Sequence, residues 1–318
     1  MFRLSDGLKK GIIIGATAVL PETWRVAARE PALARLELDI ARASSLIIIA
    51  HPKSGNTWLK VMLTRLYQVR HGIADADFSK YSELAVRNPD IPRFAATNGW
   101  YSYEGAVGRA LTEGTAAPEL RTKPVVFLAR NPCDIAVSWY FQFTKRQSAH
   151  KQELINHFIA HPIDRHDISL WDFVRHSDIG LPFLIDYLNT WEGRLGDLDR
   201  TLLIRYEDLR ADPGAVLGQI TELMGDRFSD QEIQGAVDFA SFDNLRKMES
   251  SGFFRQGGLT LRNPKDPESF KVRRGKVQGY RDYFTPEQVA ELESLMAERL
   301  SPTLGYGPVA TPRDAAGE

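Results

Sequence analysis

The chain has one cysteine, Cys133, among its 318 residues, so no disulfide can form within it. Proteins that depend on disulfides are mostly secreted, whereas this composition suits a reducing, cytoplasmic compartment. An excess of charge of one sign is also lacking, because 40 Lys and Arg balance 41 Asp and Glu. The chain therefore gives no reason to expect nucleic acid or an anionic membrane as a partner, and any anion site must be a local cluster of cations.

A run of apolar residues long enough to cross a bilayer is missing too. The stretch GIIIGATAVL, at 11–20, has ten residues, and a membrane-spanning helix needs about 20. Because Lys9 and Lys10 precede it and Pro21 follows, we interpret residues 1–43 as a peripheral arm or helix. Membrane association through this segment stays an alternative to that interpretation.

Spacings typical of metal sites are absent as well. The polar segment 145–166 holds four of the seven histidines, namely His150, His157, His161 and His166. Zinc sites usually combine histidines with cysteines at short fixed spacings, or place them in an HExxH sequence on a helix. Neither pattern occurs here, so we predict a solvated lid or insert at 145–166 and no bound metal.

Apolar runs bounded by turn residues alternate with stretches of helical spacing. SLIIIA (45–50) and PVVFLA (124–129) are typical of strands buried on both faces of a parallel sheet. TLLIRYEDL (201–209) is interpreted as a third strand. Residues 56–70 repeat apolar side chains at helical intervals directly after the first run. The sequence therefore predicts an α/β fold of three layers, α/β/α, with a central, mostly parallel sheet.

The junction between the first strand and the helix that follows it reads HPKSGNTW. Gly55 allows a tight turn, after which backbone N–H groups at the helix start can face an anion. Lys53 adds a positive charge, Thr57 adds a hydroxyl, and Trp58 offers a flat face, on which stacking of a base is worth about 1–3 kcal/mol. This is a P-loop-like phosphate-binding strand–loop–helix, although it lacks the GK[ST] sequence of ATP and GTP hydrolases.

Two further sequences combine cations with a hydroxyl or a glycine. In RNPCDIAVSWY, Arg130 ends a strand and Ser138 lies about two turns into the next helix, so the two side chains can share one phosphate. In RRGKVQG, Arg273 and Arg274 precede Gly275 in a glycine-rich, basic segment. Two separate phosphate sites and a stacking tryptophan predict a nucleotide with two anionic ends.

Together these sequences resemble those of the cytosolic sulfotransferases, whose donor is 3′-phosphoadenosine 5′-phosphosulfate (PAPS). PKSGNTW at 52–58 is similar to the family's 5′-phosphosulfate loop, and RNPCDIAVSWY at 130–140 is similar to its 3′-phosphate element. RRGKVQG at 273–279 matches a late RKGxxG-like element. YEDL at 206–209 and ASFDNL at 240–245 are weaker matches. All three main sequences occur in the family's order.

The resemblance implies transfer of a sulfuryl group to a hydroxyl or amine acceptor by in-line displacement, without a metal. It implies a catalytic role for Lys53, which would stabilise the leaving oxygen. It assigns donor binding to Lys53, Ser54, Gly55, Asn56, Thr57, Trp58, Arg130, Ser138, Tyr206, Ser241, Phe242, Arg273, Arg274 and Gly275. In this reading, Trp58 and Phe242 enclose the adenine.

The resemblance also divides the chain. It covers residues 44–300, which we expect to form a sulfotransferase domain. Within that domain, residues 250–280 would be a loop that covers the cofactor. Residues 301–318 would be a C-terminal tail.

One departure from the family concerns the general base. The family usually has a catalytic His in a KTH-like sequence, and AATNGW at 95–100 places Asn98 at that position. An asparagine cannot accept a proton as a base. His51, beside the phosphosulfate loop, is therefore the candidate base, and Glu104 and Glu83 are weaker candidates.

The missing histidine leaves other functions open. One alternative is a non-catalytic protein that binds PAPS or its desulfated product, adenosine 3′,5′-bisphosphate (PAP). A P-loop nucleotide kinase is less favoured because GK[ST] is absent. The dimer motif of some animal members is not intact either, so the oligomeric state stays open.

Aromatic residues in three segments suggest the nature of the acceptor. These are Phe78, Tyr81, Phe94, Trp100, Tyr101, Tyr103, Phe141, Phe143, Phe253 and Phe254. If they line the acceptor pocket, they favour a flat or apolar small molecule, such as a phenol, a steroid-like alcohol or a lipid. The same residues can equally belong to the core.

Overall fold

The computed structural model describes residues 4–74, 84–85, 88–99, 105–113, 117–253 and 275–306. Its strands within these ranges are β1 (Leu46–Ile49), β2 (Phe94–Thr97), β3 (Val125–Ala129) and β4 (Thr201–Arg205). They form one sheet in the order β2-β1-β3-β4, and every neighbouring pair is parallel.

Helices connect and cover these strands. The first half of the described chain has α1 (Asp6–Thr17), α2 (Glu22–Arg42), α3 (Asn56–Arg70), α4 (Ala106–Glu113), α5 (Pro132–Phe141) and α6 (Ala149–Phe158). The second half has α7 (Leu170–Arg175), α8 (Leu181–Arg194), α9 (Tyr206–Ala211), α10 (Pro213–Met224), α11 (Asp230–Phe239), α12 (Phe242–Ser250) and α13 (Pro286–Arg299). A π-helical turn at Gln142–Arg146 joins α5 to the residues before α6.

The sheet is buried on both faces because alternate residues of each strand point to opposite sides. Ile47 and Phe127 face a cluster formed with α4, α5, α8 and α13. Ile48 and Val126 face a second cluster formed with α3, α10, α11 and α12. The predicted α/β fold with a central parallel sheet between helical layers is confirmed.

Several boundaries follow from local sequence. Helix α10 begins at Pro213 after the N-cap Asp212 and ends before Gly225, which has a φ of 86°. The prediction of a strand over 201–209 is wrong after Arg205, because Tyr206 starts α9. Strand β2 was not predicted, since its four residues are too short to give a clear period.

The N-terminal helices pack on the predicted lid. Arg29 of α2 is 2% exposed, and its Nη1 donates to Glu153 Oε2 of α6 at 2.9 Å. Arg25 Nη1 lies 3.0 Å from the other oxygen of Glu153. Helix α6 buries Leu154 and Ile155, so the segment 145–166 is partly helical and packed rather than wholly solvated.

Two kinds of feature are absent from the described residues. No helix among them is both long and apolar enough to cross a membrane. No group of three or more described His, Cys, Asp or Glu side chains is placed to hold a metal ion. The proposed boundaries at 43 and 300 stay predictions.

Candidate functional site

A cleft of about 320 Å³ opens at the carboxyl edge of the sheet. Each strand contributes a residue that directly follows it or lies in the loop after it: Asn98 after β2, Lys53 after β1, Arg130 after β3 and Tyr206 after β4. Ligands of parallel α/β sheets bind at this edge, where loops and helix N-termini meet. The topology therefore brings sequences that are far apart in the chain into one site.

The loop before α3 has a strained backbone. Lys53 has a φ of 81° and Gly55 a φ of 106°, the left-handed region that favours glycine. A Cβ on Gly55 would lie 2.7 Å from Tyr206 Cδ2, so only glycine fits there. The turn aims the first turn of α3 at the cleft, which Asn56 and Thr57 line.

Ser54 lies beneath this loop, although the family resemblance assigns it to donor binding. The residue is fully buried, its N–H donates to the carbonyl of His51 at 3.1 Å, and it is outside the cleft lining. Its position supports a role in the turn.

Arg130, in the second predicted sequence, donates hydrogen bonds to the first and the third. Its Nη1 donates to the carbonyl of Lys53 at 2.8 Å, and its Nη2 donates to the carbonyl of Lys276 at 3.4 Å. The guanidinium also lies 3.6 Å from Asp134 Oδ2 and 4.3 Å above the centre of the Tyr206 ring. The cleft therefore has a fixed, nearly buried cation at its centre, with half-buried Ser138 in the same lining.

Aromatic side chains form one wall of the cleft. Trp58 and Tyr206 lie with their ring centres 6.3 Å apart, and Phe242 belongs to the same lining. Trp58 is held by its Nε1, which donates to the carbonyl of Ala240 at 2.8 Å. A flat ligand ring could therefore stack on the aromatic side chains of this wall.

The third predicted sequence reaches the same wall through Gly275. This glycine has a φ of 58°, and a Cβ on it would lie 3.1 Å from Phe242 Cδ2, so a side chain there would push the ring away. Ser241, in contrast, is exposed as the N-cap of α12 and is outside the cleft lining. Arg273 and Arg274 lie outside the described residues.

The burial of His51 contradicts the hypothesis that this residue is the general base. The imidazole is fully buried among the rings of Tyr187, Trp139 and Phe183, with centres 5.4, 5.7 and 6.1 Å away. Its Nδ1–H donates to the carbonyl of Pro52 at 2.9 Å. Burial lowers the pKa of His51 to about 3, so it is a weak base, and it lies outside the cleft lining.

Asn98 lies in the cleft on a rigid turn. The next residue, Gly99, has a φ of 76°, and its N–H donates to Thr97 Oγ1 at 3.1 Å. The backbone of Gly108 in α4 packs so close that a Cβ there would overlap the carbonyl of Gly99. The Asn98 amide can donate or accept a hydrogen bond, but it cannot take a proton. The weaker base candidates, Glu83 and Glu104, are outside the described residues.

Sequence reasoning missed several residues of the lining: Lys60, Asp134, Gln142, Gln147, Lys151, Arg210 and Lys276. Three of them could have been found from helical spacing, because residues four apart share a helix face. Lys60 follows Asn56 by four residues, and Asp134 and Gln142 lie four residues before and after Ser138. Lys151 and Arg210 belong to helices α6 and α9, and Gln147 and Lys276 lie between helices; the sequence does not predict that these four reach the cleft.

Of the ten aromatic residues proposed for the acceptor pocket, the four that the structure describes lie outside the cleft lining. Phe94, Phe141 and Phe143 are buried in the core, and Phe253 is partly exposed. None of these four lines the cleft. The remaining six are outside the described residues.

Comparison with known proteins identifies the family of the chain. The model of the sulfotransferase domain matches residues 113–303, which include the second and third sequences. Cytosolic sulfotransferase 5 of Arabidopsis thaliana is 26% identical over 274 residues, covering 81% of this chain and 80% of the relative. Cytosolic sulfotransferase 17 of the same plant is 26% identical over 292 residues, covering 83% and 76%.

Solved structures show the same fold. A mouse sulfotransferase, SULT7A1, solved with PAP, superposes with a TM-score of 0.52 at 23% identity, covering 81% of this chain and 84% of that one. A retinol dehydratase in complex with androsterone and PAP gives 0.50 at 16% identity, covering 87% and 88%. Because the domain match spans more than half of the sequence, the chain belongs to the sulfotransferase family.

Proposed function

We propose that this sulfotransferase moves a sulfuryl group from PAPS to a hydroxyl or amine of a small-molecule acceptor. The observation that carries the proposal is the convergence of Lys53, Arg130, Ser138 and Gly275 on one cleft. Family membership favours this reaction over donor binding without catalysis. The absence of GK[ST] from the sequence counts against a nucleotide kinase.

The shape and charge of the cleft fit such a donor. Trp58 and Phe242 would hold the adenine, and Arg130, Ser138 and Gly275 would hold the 3′-phosphate. Because Gly55 and Gly275 have no side chain, their backbone stays accessible to a ligand in the cleft. Arg273 and Arg274 stay predicted members of the 3′-phosphate site.

The chemistry proposed for Lys53 follows from its position. The donor supplies an activated sulfuryl group whose bond to the phosphate oxygen breaks as the acceptor attacks from the opposite side. Negative charge then collects on the phosphate oxygen. The Lys53 ammonium and the N–H groups at the start of α3 would stabilise that charge, the contribution that usually dominates such transfers.

The acceptor would enter from the side of β2. Asn98 lies at that side, and Lys151 belongs to α6, which is tied to α2 by Glu153. The aromatic wall with Tyr206 is at the other end, after β4. We propose that the Asn98 amide hydrogen-bonds the acceptor and orients it, and that Glu104 or Glu83 serves as the base.

The cellular location of the enzyme and the class of its acceptor are proposed from its relatives. The Arabidopsis proteins are named cytosolic, and we propose a cytoplasmic location for this chain. A small-molecule acceptor is proposed for the same reason, since the retinol dehydratase was solved with androsterone.

Calorimetric titration of the full chain with PAP, adenosine 5′-monophosphate (AMP) and ATP tests the donor site. We expect PAP to bind more tightly than AMP, by about 10-fold or more, because a phosphate that meets a fixed guanidinium gains charge-assisted hydrogen bonds. An acceptor screen with labelled PAPS then tests transfer. Equal affinity for PAP and AMP would overturn the assignment of Arg130 and Ser138.

A further inference from the structure

The Asp134 carboxylate does not cap its own helix, α5. Asn131 Oδ1 already caps α5, accepting from the N–H groups of Cys133 at 3.0 Å and Asp134 at 3.3 Å. The Asp134 carboxylate is turned instead toward the third sequence. Its Oδ2 accepts from the N–H of Gln278 at 2.9 Å, and its Oδ1 accepts from the N–H of Tyr280 at 3.0 Å.

The segment that Asp134 holds has an unusual backbone. Gly275 has a φ of 58° and Gln278 a φ of 56°, and the second value is unfavourable for a residue with a side chain. Such a conformation persists only where surrounding contacts fix it. The two bonds to Asp134 fix Gln278 and Tyr280, three and five residues after Gly275. A Cβ on Gly275 would meet the ring of Phe242.

The same carboxylate also contacts Arg130. Asp134 Oδ2 lies 3.6 Å from Arg130 Nη2, whose guanidinium reaches the carbonyls of Lys53 and Lys276. Asp134 is 3% exposed, and burial raises its pKa, although Arg130 and the N–H groups of the segment act in the opposite direction. A carboxylate at this depth is unfavourable unless its partners compensate it.

We propose that Asp134 is a positioning residue that builds the 3′-phosphate end of the donor site before the donor arrives. It acts through the segment 275–280 and through Arg130, the groups to which its carboxylate is bound. The inference rests on the proposed function, since it assigns the 3′-phosphate to this end of the cleft.

Asp134→Asn tests the role with nearly unchanged volume. The amide keeps one acceptor oxygen but loses the charge that faces Arg130, and its NH₂ group opposes a backbone N–H. In calorimetry on the full chain, PAP affinity should fall by about 10-fold or more, as expected for loss of charge-assisted bonds. AMP, which lacks the 3′-phosphate, should change by less than about 3-fold. Asp172→Asn, at an exposed residue in the first turn of α7, is the matched control and should change neither affinity.

Hydrogen exchange gives a second readout, and its wild-type measurement does not depend on whether the variant folds. In the wild-type chain without ligand, the amides of Gln278 and Tyr280 should be protected. In Asp134→Asn the peptide 275–283 should exchange faster, whereas α13 should be unaffected. Unprotected amides in the wild type would overturn the proposal, and so would a variant that keeps the preference for PAP over AMP.

The two proposals fail in different ways. If the wild type does not prefer PAP over AMP, the 3′-phosphate site itself is wrong. If the wild type prefers PAP and Asp134→Asn keeps that preference, the donor site stands and only the role of Asp134 is wrong.

Discussion

Replacing Gly55 by alanine should damage both stability and donor binding. The φ of 106° costs an alanine about 1–2 kcal/mol. The new Cβ would lie 2.7 Å from Tyr206 Cδ2, and overpacking of this kind adds about 1–3 kcal/mol. Because Tyr206 is 6% exposed and stacks under Arg130, its ring has little room to move. We therefore expect the free energy of unfolding to fall by about 2–5 kcal/mol in total.

Gly72 provides a matched control for the backbone contribution. It has a φ of 62°, and a Cβ there would meet nothing within 4 Å. Gly72→Ala should lower the free energy of unfolding by only about 1–2 kcal/mol. Both variants gain the same restriction of the unfolded chain, so that effect cancels in the comparison.

Urea denaturation of the two variants and calorimetric titration with PAP measure the difference. Gly55→Ala should be the less stable variant and should bind PAP at least about 10-fold more weakly, since a shifted loop loses bonds to the donor. Gly72→Ala should bind PAP like the wild type. Equal losses of stability with unchanged PAP affinity in both variants would refute the argument from the Tyr206 contact.

Three further predictions concern single side chains. Lys53→Ala should lower kcat by about 100-fold or more through loss of one preorganised charge donor, with Lys123→Ala as control; retained turnover would remove Lys53 from the mechanism. Arg130→Lys keeps the charge but loses the planar fork, so PAP affinity should fall by about 10–100-fold in calorimetry, and unchanged affinity would contradict the phosphate assignment. Burial lowers the pKa of His51 from 6.5 to about 3. The unfolded chain therefore binds a proton below pH 6.5 that the folded chain does not, and stability should fall by about 1.4 kcal/mol per pH unit from about 6.5 toward 3. His51→Gln should remove that part of the slope in urea denaturation across pH, with exposed His157→Gln as control; an unchanged slope would show that His51 is not buried in the neutral form.

The sequence was sufficient for the parts of the site that follow from strand ends and helix starts. Lys53, Gly55 and Arg130 each follow a run of buried apolar residues, and parallel strands end at one edge of a sheet. Their convergence could therefore be predicted. The sheet order could not, because β2 has only four residues and no period that distinguishes it from a loop.

Other features depend on partners that are distant in sequence. His51 adjoins the phosphate loop and looks like a base, but the rings of Trp139, Phe183 and Tyr187 bury it from two other helices. Asp134 reads as a favourable charge at a helix start, and its bonds to residues 278–280 depend on the path of a glycine-rich segment. Such long-range contacts leave no local pattern in the sequence.

Glu153 has a consequence for how acceptor preference can change in this family. It ties α6, which carries Lys151 into the cleft, to Arg25 and Arg29 of the N-terminal helix pair. Helix α2, which contributes no residue to the cleft lining, therefore holds the helix from which Lys151 reaches the cleft. On the proposal that the acceptor enters from the side of β2, exchange of that helix pair between homologous enzymes should change the acceptor range and leave the donor site intact.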